Sequence, residues 1–166
     1  MGHHPKVLVR EMRAEDARQF LLVHHEAVRG IAAKDYAPEI IDEWAPMHIS
    51  PEAIERIIAN PGAEVRIVAE VDGEIVGIAA IVPEENELRA CYVLPKAARN
   101  GVGSALVSRI EQIVKQRGLK YLKLESSITA EPFYAALGYE ALEHGEHVMS
   151  TGRRMACVKM RKEISN

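Results

Sequence analysis

The stretch that decides the fold is VLPKAARNGVGSALV, Val93–Val107. It follows the apolar run ELRACYVL and leads into a segment with apolar residues at helical spacing, so it is predicted to join a strand to a helix. Such a junction requires one or two turn residues, but this one contains a proline, two alanines and the closely spaced Gly101 and Gly103. The composition therefore indicates a loop that lets another molecule approach its backbone.

A helix that begins near Val102 presents unpaired backbone N–H groups and the positive end of its dipole to this loop. Phosphate groups are the usual ligands of such a helix end. Because Gly101 and Gly103 have no Cβ, a phosphate can come close to the amides of residues 100–105, and Arg99 can add positive charge. The alternative is that the two glycines only relieve crowding in a tight turn.

Two familiar phosphate-binding motifs are excluded. A P-loop has Lys and then Ser or Thr directly after its last glycine, where this chain has Ser104 and Ala105. A dinucleotide-binding fingerprint has a third glycine, which would stand at Leu106. The predicted phosphate site therefore belongs to another class of motif.

Composition limits the function further. The chain has 166 residues, 48% hydrophobic and 27% charged, which is typical of one globular domain over residues 1–166. A net charge of -3 gives no basic field for nucleic acid, and no apolar run is long enough to span a membrane. Cys91 and Cys157 lie in apolar runs, as reduced thiols do, and the first ten residues lack the apolar segment of a secretory signal. We therefore expect a cytoplasmic protein without nucleic acid or membrane as a partner.

Strand and helix signals alternate along the rest of the chain. Strands are predicted at 6–13, 63–71, 74–82, 87–94, 120–126, 140–149 and 154–160, and helices at 15–29, 38–46, 51–59, 102–118 and 129–138. Asp72–Gly73, between two β-rich runs, is a strong hairpin signal. Hairpin and helical connections together predict an α/β (α+β) domain, with a central mixed, mostly antiparallel sheet of six to seven strands flanked by helices.

Caps and buried faces follow from the same pattern. Ser50 and Thr129 are the expected N-caps of two helices, and Gly118 is the expected C-cap of the long helix. In the helix after Ser50, apolar residues at helical spacing, including Ile58, predict a buried face.

The loop resembles the acyl-CoA-binding motif of the GNAT superfamily of N-acetyltransferases. That motif ends Gln/Arg-x-x-Gly-x-Gly/Ala, and its glycine positions match Gly101 and Gly103. Its first position falls on Ala98, with Arg99 one residue later.

A second segment, SSITAEPFYAALGY, resembles the superfamily pattern Asn-x-x-Ala-x-x-Phe-Tyr-x-x-x-Gly-Phe/Tyr. Ser127 stands where Asn is common, and the matching residues are Ala130, Phe133, Tyr134, Gly138 and Tyr139. Because two motifs occur at the right separation and in the right order of elements, the chain is identified as a member of the superfamily. It also looks like a subgroup of small bacterial-type members with SITA-x-PFY, and the GNAT fold is expected.

The resemblance implies that an acetyl group passes from acetyl-CoA, as cosubstrate and without a metal ion, to a primary amine that attacks the thioester directly. The acceptor is expected to be a small molecule or a peptide amine, and a homodimer is compatible with the family. Two other functions stay open. One is a non-catalytic module that binds acyl-CoA as a sensor or partner domain, and the other is a phosphate- or nucleotide-binding protein unrelated to acetyl transfer.

Family positions assign roles to individual residues. A backbone N–H of Tyr92 or Val93 is expected to stabilise the oxyanion, and Tyr134 to donate a proton to the leaving thiolate. Glu87, Glu125 or an ordered water is expected to act as the base. The residues expected to bind the cosubstrate are Tyr92, Val93, Leu94, Arg99, Asn100, Gly101, Val102, Gly103, Ser104, Ala105, Ser127, Phe133 and Tyr134.

Tyr134 is predicted beside, not on, the buried face of its short helix, which Phe133 and Leu137 form. The alternative to a catalytic role is an aromatic residue at the rim of the site, with its hydroxyl in water.

The segment KDYAPEIIDEW lies where the family builds the variable wall of its acceptor site. We therefore expect His24, Asp35, Tyr36 and Trp44 to bind the acceptor, because an acidic and aromatic surface suits a cationic amine. The alternative for Trp44, the only tryptophan, is a place in the core.

Two clusters contain residue types that bind metals. HHEAVR, at 24–29, lacks the second histidine that a zinc-protease motif requires. EHGEH, at 143–147, lies in a predicted strand, where neighbouring side chains alternate between faces, so exposure to solvent is expected.

Overall fold

The computed structural model describes residues 6–164, so part of the N-terminal segment considered for a secretory signal lies outside it. Within these residues, seven strands form one sheet and five α-helices accompany it. The strands are β1 (Val7–Glu11), β2 (Val65–Val71), β3 (Glu74–Val82), β4 (Glu87–Val93), β5 (Tyr121–Ser127), β6 (Glu140–Val148) and β7 (Arg154–Glu163). The helices are α1 (Ala17–Gly30), α2 (Pro38–Trp44), α3 (Pro51–Ala59), α4 (Val102–Gln116) and α5 (Glu131–Ala136). None of these helices is both long and apolar enough to cross a membrane.

The strands follow the order β1-β2-β3-β4-β5-β7-β6, with β4 and β5 parallel and the other neighbours antiparallel. This confirms the predicted mixed, mostly antiparallel sheet. β3 is buried from Ile75 to Val82, because α1 and α4 both pack against it.

The two faces of the sheet carry different helices. Tyr92 lies against His24 of α1, with the ring centroids 4.7 Å apart. A Cβ built at Gly77, the cross-strand partner of Val93, would lie 2.8 Å from the side chain of Val102 in α4. Because Tyr92 and Val93 are neighbours in one strand and point to opposite faces, α1 and α4 cover opposite faces of the sheet at β4.

Three local signals are confirmed. The Ser50 hydroxyl accepts a hydrogen bond from the N–H of Ala53 at 3.1 Å, as an N-cap does. Asp72 and Gly73 have φ of 51° and 79°, as a two-residue hairpin turn with matched twist requires. Gly118, just beyond the end of α4, has φ of 73°.

Three others are wrong. The N-cap of α5 is Ala130 and not Thr129, because the Thr129 hydroxyl instead lies 2.6 Å from a carboxylate oxygen of Asp35 and donates to it. Ile58 is 51% exposed, and α3 has no fully buried residue. β7 continues to Glu163, beyond its predicted end, because it pairs with the whole length of β5.

Candidate active site

The site begins where β4 and β5 separate. These parallel strands pair only at Glu87 with Lys123 and at Leu88 with Leu124 within residues 6–164. Directly after Leu88, the pairing of β4 with β3 shifts by one residue, which leaves Arg89 as an extra, bulged residue. A bulge bends its strand, so β4 turns away from β5 and a gap opens between them.

The register of β4 decides which backbone groups face this gap. The N–H of Leu94 donates to the carbonyl of Val76 in β3 at 2.8 Å. Backbone groups alternate in an antiparallel ladder, so those of Tyr92 also face β3, whereas those of Cys91 and Val93 face the gap. Of the two expected oxyanion donors, this geometry favours Val93 over Tyr92.

A cavity of about 460 Å³, here called the loop cavity, adjoins the glycine loop. Its wall includes Arg99, Gly101, Gly103 and Ser104 from the loop and Phe133 from α5. The remaining lining residues come from the end of α1 and the turn after it, from Trp44, from the end of β4, from Ala98, and from the end of β5 with the connection to α5.

Several residues that were predicted to contact the cosubstrate are buried, already bonded, or outside the loop cavity. Ala105 donates its N–H to the carbonyl of Gly101 at 3.0 Å, so this amide is already used within the helix. Leu94 and Val102 are buried in the core, with 3% and 2% of their surfaces exposed. Asn100 lines a separate cavity beside Lys96. The backbone amides left for a ligand are therefore those of residues 101–104, at the N-cap and first turn of α4.

Glycine is needed at positions 101 and 103 for different structural reasons. Gly101, the N-cap of α4, has φ of 81°, and a Cβ there would have no atom within 4 Å. A Cβ at Gly103 would lie 3.0 Å from two ring carbons of Phe133 and 3.7 Å from Val93. Gly103 therefore relieves crowding, while Gly101 supplies a left-handed turn beside open space. Arg99 also adopts the left-handed conformation, with φ of 66°.

A second cavity, of about 310 Å³, lies between β4, β5 and the β6–β7 pair. We call it the carboxylate cavity, because Glu87 and Glu125 both line it, and Tyr134 and His147 line it too. It shares with the loop cavity the residues Trp44, Cys91, Tyr92, Ser127 and Ala130. The two cavities therefore meet at the gap between β4 and β5.

Tyr134 lies deeper than expected. It is the buried residue of α5, with 6% of its surface exposed, and its ring packs 5.1 Å from Phe133 and 5.8 Å from Tyr139. Burial raises the pKa of the Tyr134 hydroxyl well above its ordinary value. The hydroxyl is therefore protonated throughout the neutral range, and Tyr134 is not a rim residue.

The two candidate bases have different partners. Glu87 accepts a hydrogen bond from Nε of Arg89 at 2.7 Å, and Arg89 also donates to Glu85 at 2.6 Å. Glu125 has an oxygen 3.2 Å from Nδ1 of His147. Glu87 thus accepts a hydrogen bond from the protein, whereas the Glu125 oxygen lies close to an imidazole nitrogen.

His147 is a lining residue that sequence reasoning missed. Exposure to solvent was expected for EHGEH and is confirmed at both histidines, because the side chain of His144 is 70% exposed and that of His147 is 55% exposed. His147 in addition lines the carboxylate cavity. No local signal places it there, because β6 and β5 are joined only through β7.

Of the four residues that were expected to bind the acceptor, Trp44 lines both cavities and the other three line neither. Tyr36 is buried, and its hydroxyl bonds two backbone groups, while Asp35 holds Thr129. His24 lines neither cavity, and burial lowers its pKa to about 4. Tyr36 and His24 are therefore packing residues rather than acceptor contacts.

Comparison with known proteins gives a consistent result. Residues 32–164 match the model of a family described as an acetyltransferase (GNAT) domain. The uncharacterized protein YyaT of Bacillus subtilis (strain 168) is 35% identical over 89 residues. That match spans 54% of this chain and 57% of YyaT, little more than half of either.

Two solved structures resemble this chain along almost its full length. A GCN5-related N-acetyltransferase from Rhodopseudomonas palustris has a TM-score of 0.86 at 23% identity, covering 98% of this chain and 99% of the other. The PaiA N-acetyltransferase from Thermoplasma acidophilum, in complex with coenzyme A, has a TM-score of 0.72 at 20% identity, covering 95% and 99%. At these identities the likeness concerns the fold.

Proposed function

The chain belongs to the GNAT acetyltransferase family, and on that premise we propose that it moves the acetyl group of acetyl-CoA to a primary amine, which attacks the thioester directly. The observation that carries the proposal is the meeting of the loop cavity and the carboxylate cavity at the gap between β4 and β5. A transfer between two substrates requires such a junction, since each must reach the reacting carbon from its own side.

The loop cavity has the groups that the cosubstrate requires. The first-turn amides of α4 and the helix dipole suit its pyrophosphate, and each charge-assisted hydrogen bond contributes about 1.5–3 kcal/mol. Gly101 leaves open space beside these amides. Arg99 lines the cavity and adds a positive charge, although Ala98 stands where the family motif has Gln or Arg. The backbone groups of Cys91 and the carbonyl of Val93 can pair with the amides of the pantetheine arm, which leaves the N–H of Val93 for the thioester.

The carbonyl would then lie at the gap, where the N–H of Val93 is directed. An N–H held by the sheet needs no reorganisation when negative charge develops on the carbonyl oxygen, so it stabilises the transition state more than the ground state. In this proposal Tyr134 donates its proton to the sulfur as the C–S bond breaks. Its raised pKa keeps the proton on the hydroxyl until the thiolate forms.

Direct attack is favoured over an acyl-cysteine intermediate. Cys91 lines both cavities, but burial raises the pKa of its thiol to about 12. A thiolate and not a thiol is the nucleophile, so the raised pKa disfavours Cys91 as a nucleophile at neutral pH. The amine itself must form the bond, and a base must first remove its proton; the family positions name Glu87, Glu125 or an ordered water as candidates for this base.

The test separates binding from transfer. Calorimetry with acetyl-CoA measures cosubstrate binding, and thiol release is then followed with a panel of small diamines, amino acids and lysine peptides. We expect binding together with amine-dependent thiol release. Binding without release from any amine would favour the non-catalytic module, and absence of binding would contradict both.

A further inference from the structure

We infer that His147 is the base that takes the proton from the attacking amine, and that Glu125 is a positioning residue that orients the imidazole. This inference rests on the proposed acetyl transfer and assigns a role within the same site. It changes the expectation for Glu125, which becomes the partner of the base instead of the base.

The position of His147 supports this role. Its side chain lines the carboxylate cavity together with Tyr134, and 55% of it is exposed, so an acceptor can reach the ring. Nδ1 lies 3.2 Å from an oxygen of Glu125, which is itself 45% exposed. With the carboxylate on the Nδ1 side of the ring, Nε2 is the nitrogen left to accept a proton.

The chemistry favours an imidazole over the two carboxylates. Alkyl amines have a pKa near 10.4, so at neutral pH the acceptor enters the site protonated. An imidazole is the side chain best matched to take and release a proton near neutral pH. A base oriented by a carboxylate through its other nitrogen is the arrangement that recurs in nucleophile activation.

The proton and electron balance can be written completely. One ammonium proton passes to Nε2 of His147 and later to solvent. The freed lone pair forms the C–N bond, the C–S bond breaks with its electrons on sulfur, and the nitrogen loses a second proton. That second proton replaces the one that Tyr134 gives to the thiolate, so amide, thiol and one solvent proton are the products.

The chain offers a matched control on the same strand. His144 also lies beside a glutamate, with Nε2 3.4 Å from Glu131, but it lines neither cavity. His144→Gln removes the same chemical group from β6 without touching the site. A difference between His147→Gln and His144→Gln therefore reports on position in the cavity.

The experiment measures thiol release from acetyl-CoA with two probe nucleophiles, the alkyl amine ethylenediamine and hydroxylamine, which is largely uncharged at neutral pH. We expect His147→Gln to lower the ethylenediamine rate by roughly 10²- to 10⁴-fold. The loss with hydroxylamine should be smaller, because that nucleophile needs no deprotonation before attack. His144→Gln should retain the wild-type rate, and melting temperature and calorimetric acetyl-CoA affinity should stay unchanged in both variants.

Glu125 is tested by a double-mutant cycle. Glu125→Gln alone should lower the ethylenediamine rate less than His147→Gln, and adding it to His147→Gln should cause no further loss, since a positioning residue has nothing left to position. Additive losses would overturn this role.

The remaining outcomes also decide the matter. A wild-type rate in His147→Gln, or equal losses with both nucleophiles, would overturn the base assignment. Failure of the wild-type protein to bind acetyl-CoA, or binding without thiol release to any nucleophile, would instead overturn the proposed acetyl transfer itself.

Discussion

The hydroxyl of Tyr36 accepts a hydrogen bond from the backbone N–H of Ile128 at 2.8 Å, and it donates one to the carbonyl of Ala156 at 2.7 Å. Tyr36 thereby joins the segment before α2 to the end of β5 and to β7. Its residue surface is 9% exposed and its proton is used by Ala156, so the hydroxyl serves to hold these segments together.

Tyr36→Phe is expected to lower the free energy of unfolding by about 1–3 kcal/mol, because two buried backbone groups lose their partner. Denaturant unfolding measures this. Tyr121→Phe is the control, since that ring packs against Arg161 at the surface. A stable Tyr36→Phe protein with a raised acceptor KM would restore the acceptor role.

Gly103→Val is expected to weaken acetyl-CoA binding at least about tenfold and also to cost about 1–3 kcal/mol of stability, because Phe133 must move away from the new side chain. Calorimetry and thermal melting measure the two effects, with Gly62→Val, at a remote loop with space for a side chain, as control. Unchanged acetyl-CoA affinity would remove this loop from the site.

Tyr134→Phe is expected to lower kcat by roughly 10- to 1000-fold while acetyl-CoA affinity stays near the wild-type value. Because burial raises the pKa of Tyr134, the loss should be the same at neutral and mildly alkaline pH. The control is Tyr139→Phe, whose buried hydroxyl has no partner within residues 6–164 and is dispensable for stability. Full kcat in Tyr134→Phe would leave this tyrosine a packing residue.

Trp44 is expected to report cosubstrate binding by its fluorescence. It is the only tryptophan, it lines both cavities, and its ring lies 5.7 Å from Tyr36 and 6.3 Å from Tyr92. Titration with acetyl-CoA should change its emission, with a Kd equal to the calorimetric value. Calorimetric binding without any change in emission would place the cosubstrate away from Trp44.

His24 predicts a pH dependence of stability. Burial lowers its pKa to about 4, whereas an imidazole in the unfolded chain titrates near 6.5, so the unfolded state binds more protons between these values. The contribution of His24 to the free energy of unfolding is therefore fully present above pH 6.5. It is lost as the pH approaches 4, by about 3 kcal/mol in total. His24→Asn should reduce this slope, and His48→Asn, at an exposed position, should leave it unchanged. Equal slopes in the two variants would contradict the assignment.

The sequence by itself determined the order of elements, the class of sheet and the family. These rest on local physics: Asp72–Gly73 sets a hairpin, Ser50 caps a helix, and Gly101 turns the chain into α4 beside a free helix end. Each signal acts over a few neighbouring residues, so it can be read before the chain is folded. The acceptor, the cytoplasmic location and a homodimer stay predictions.

Only the tertiary structure decided which groups meet at the site. The bulge at Arg89 separates β4 from β5. The resulting register directs the backbone N–H of Val93, rather than that of Tyr92, toward the gap. The same folding buries the Tyr36 hydroxyl between two distant segments and brings His147 to Glu125 through an intervening strand. These contacts depend on strand register and on pairings far apart in the chain. A pattern of neighbouring residues does not encode them, because moving a strand by one residue reverses the face of every side chain it carries.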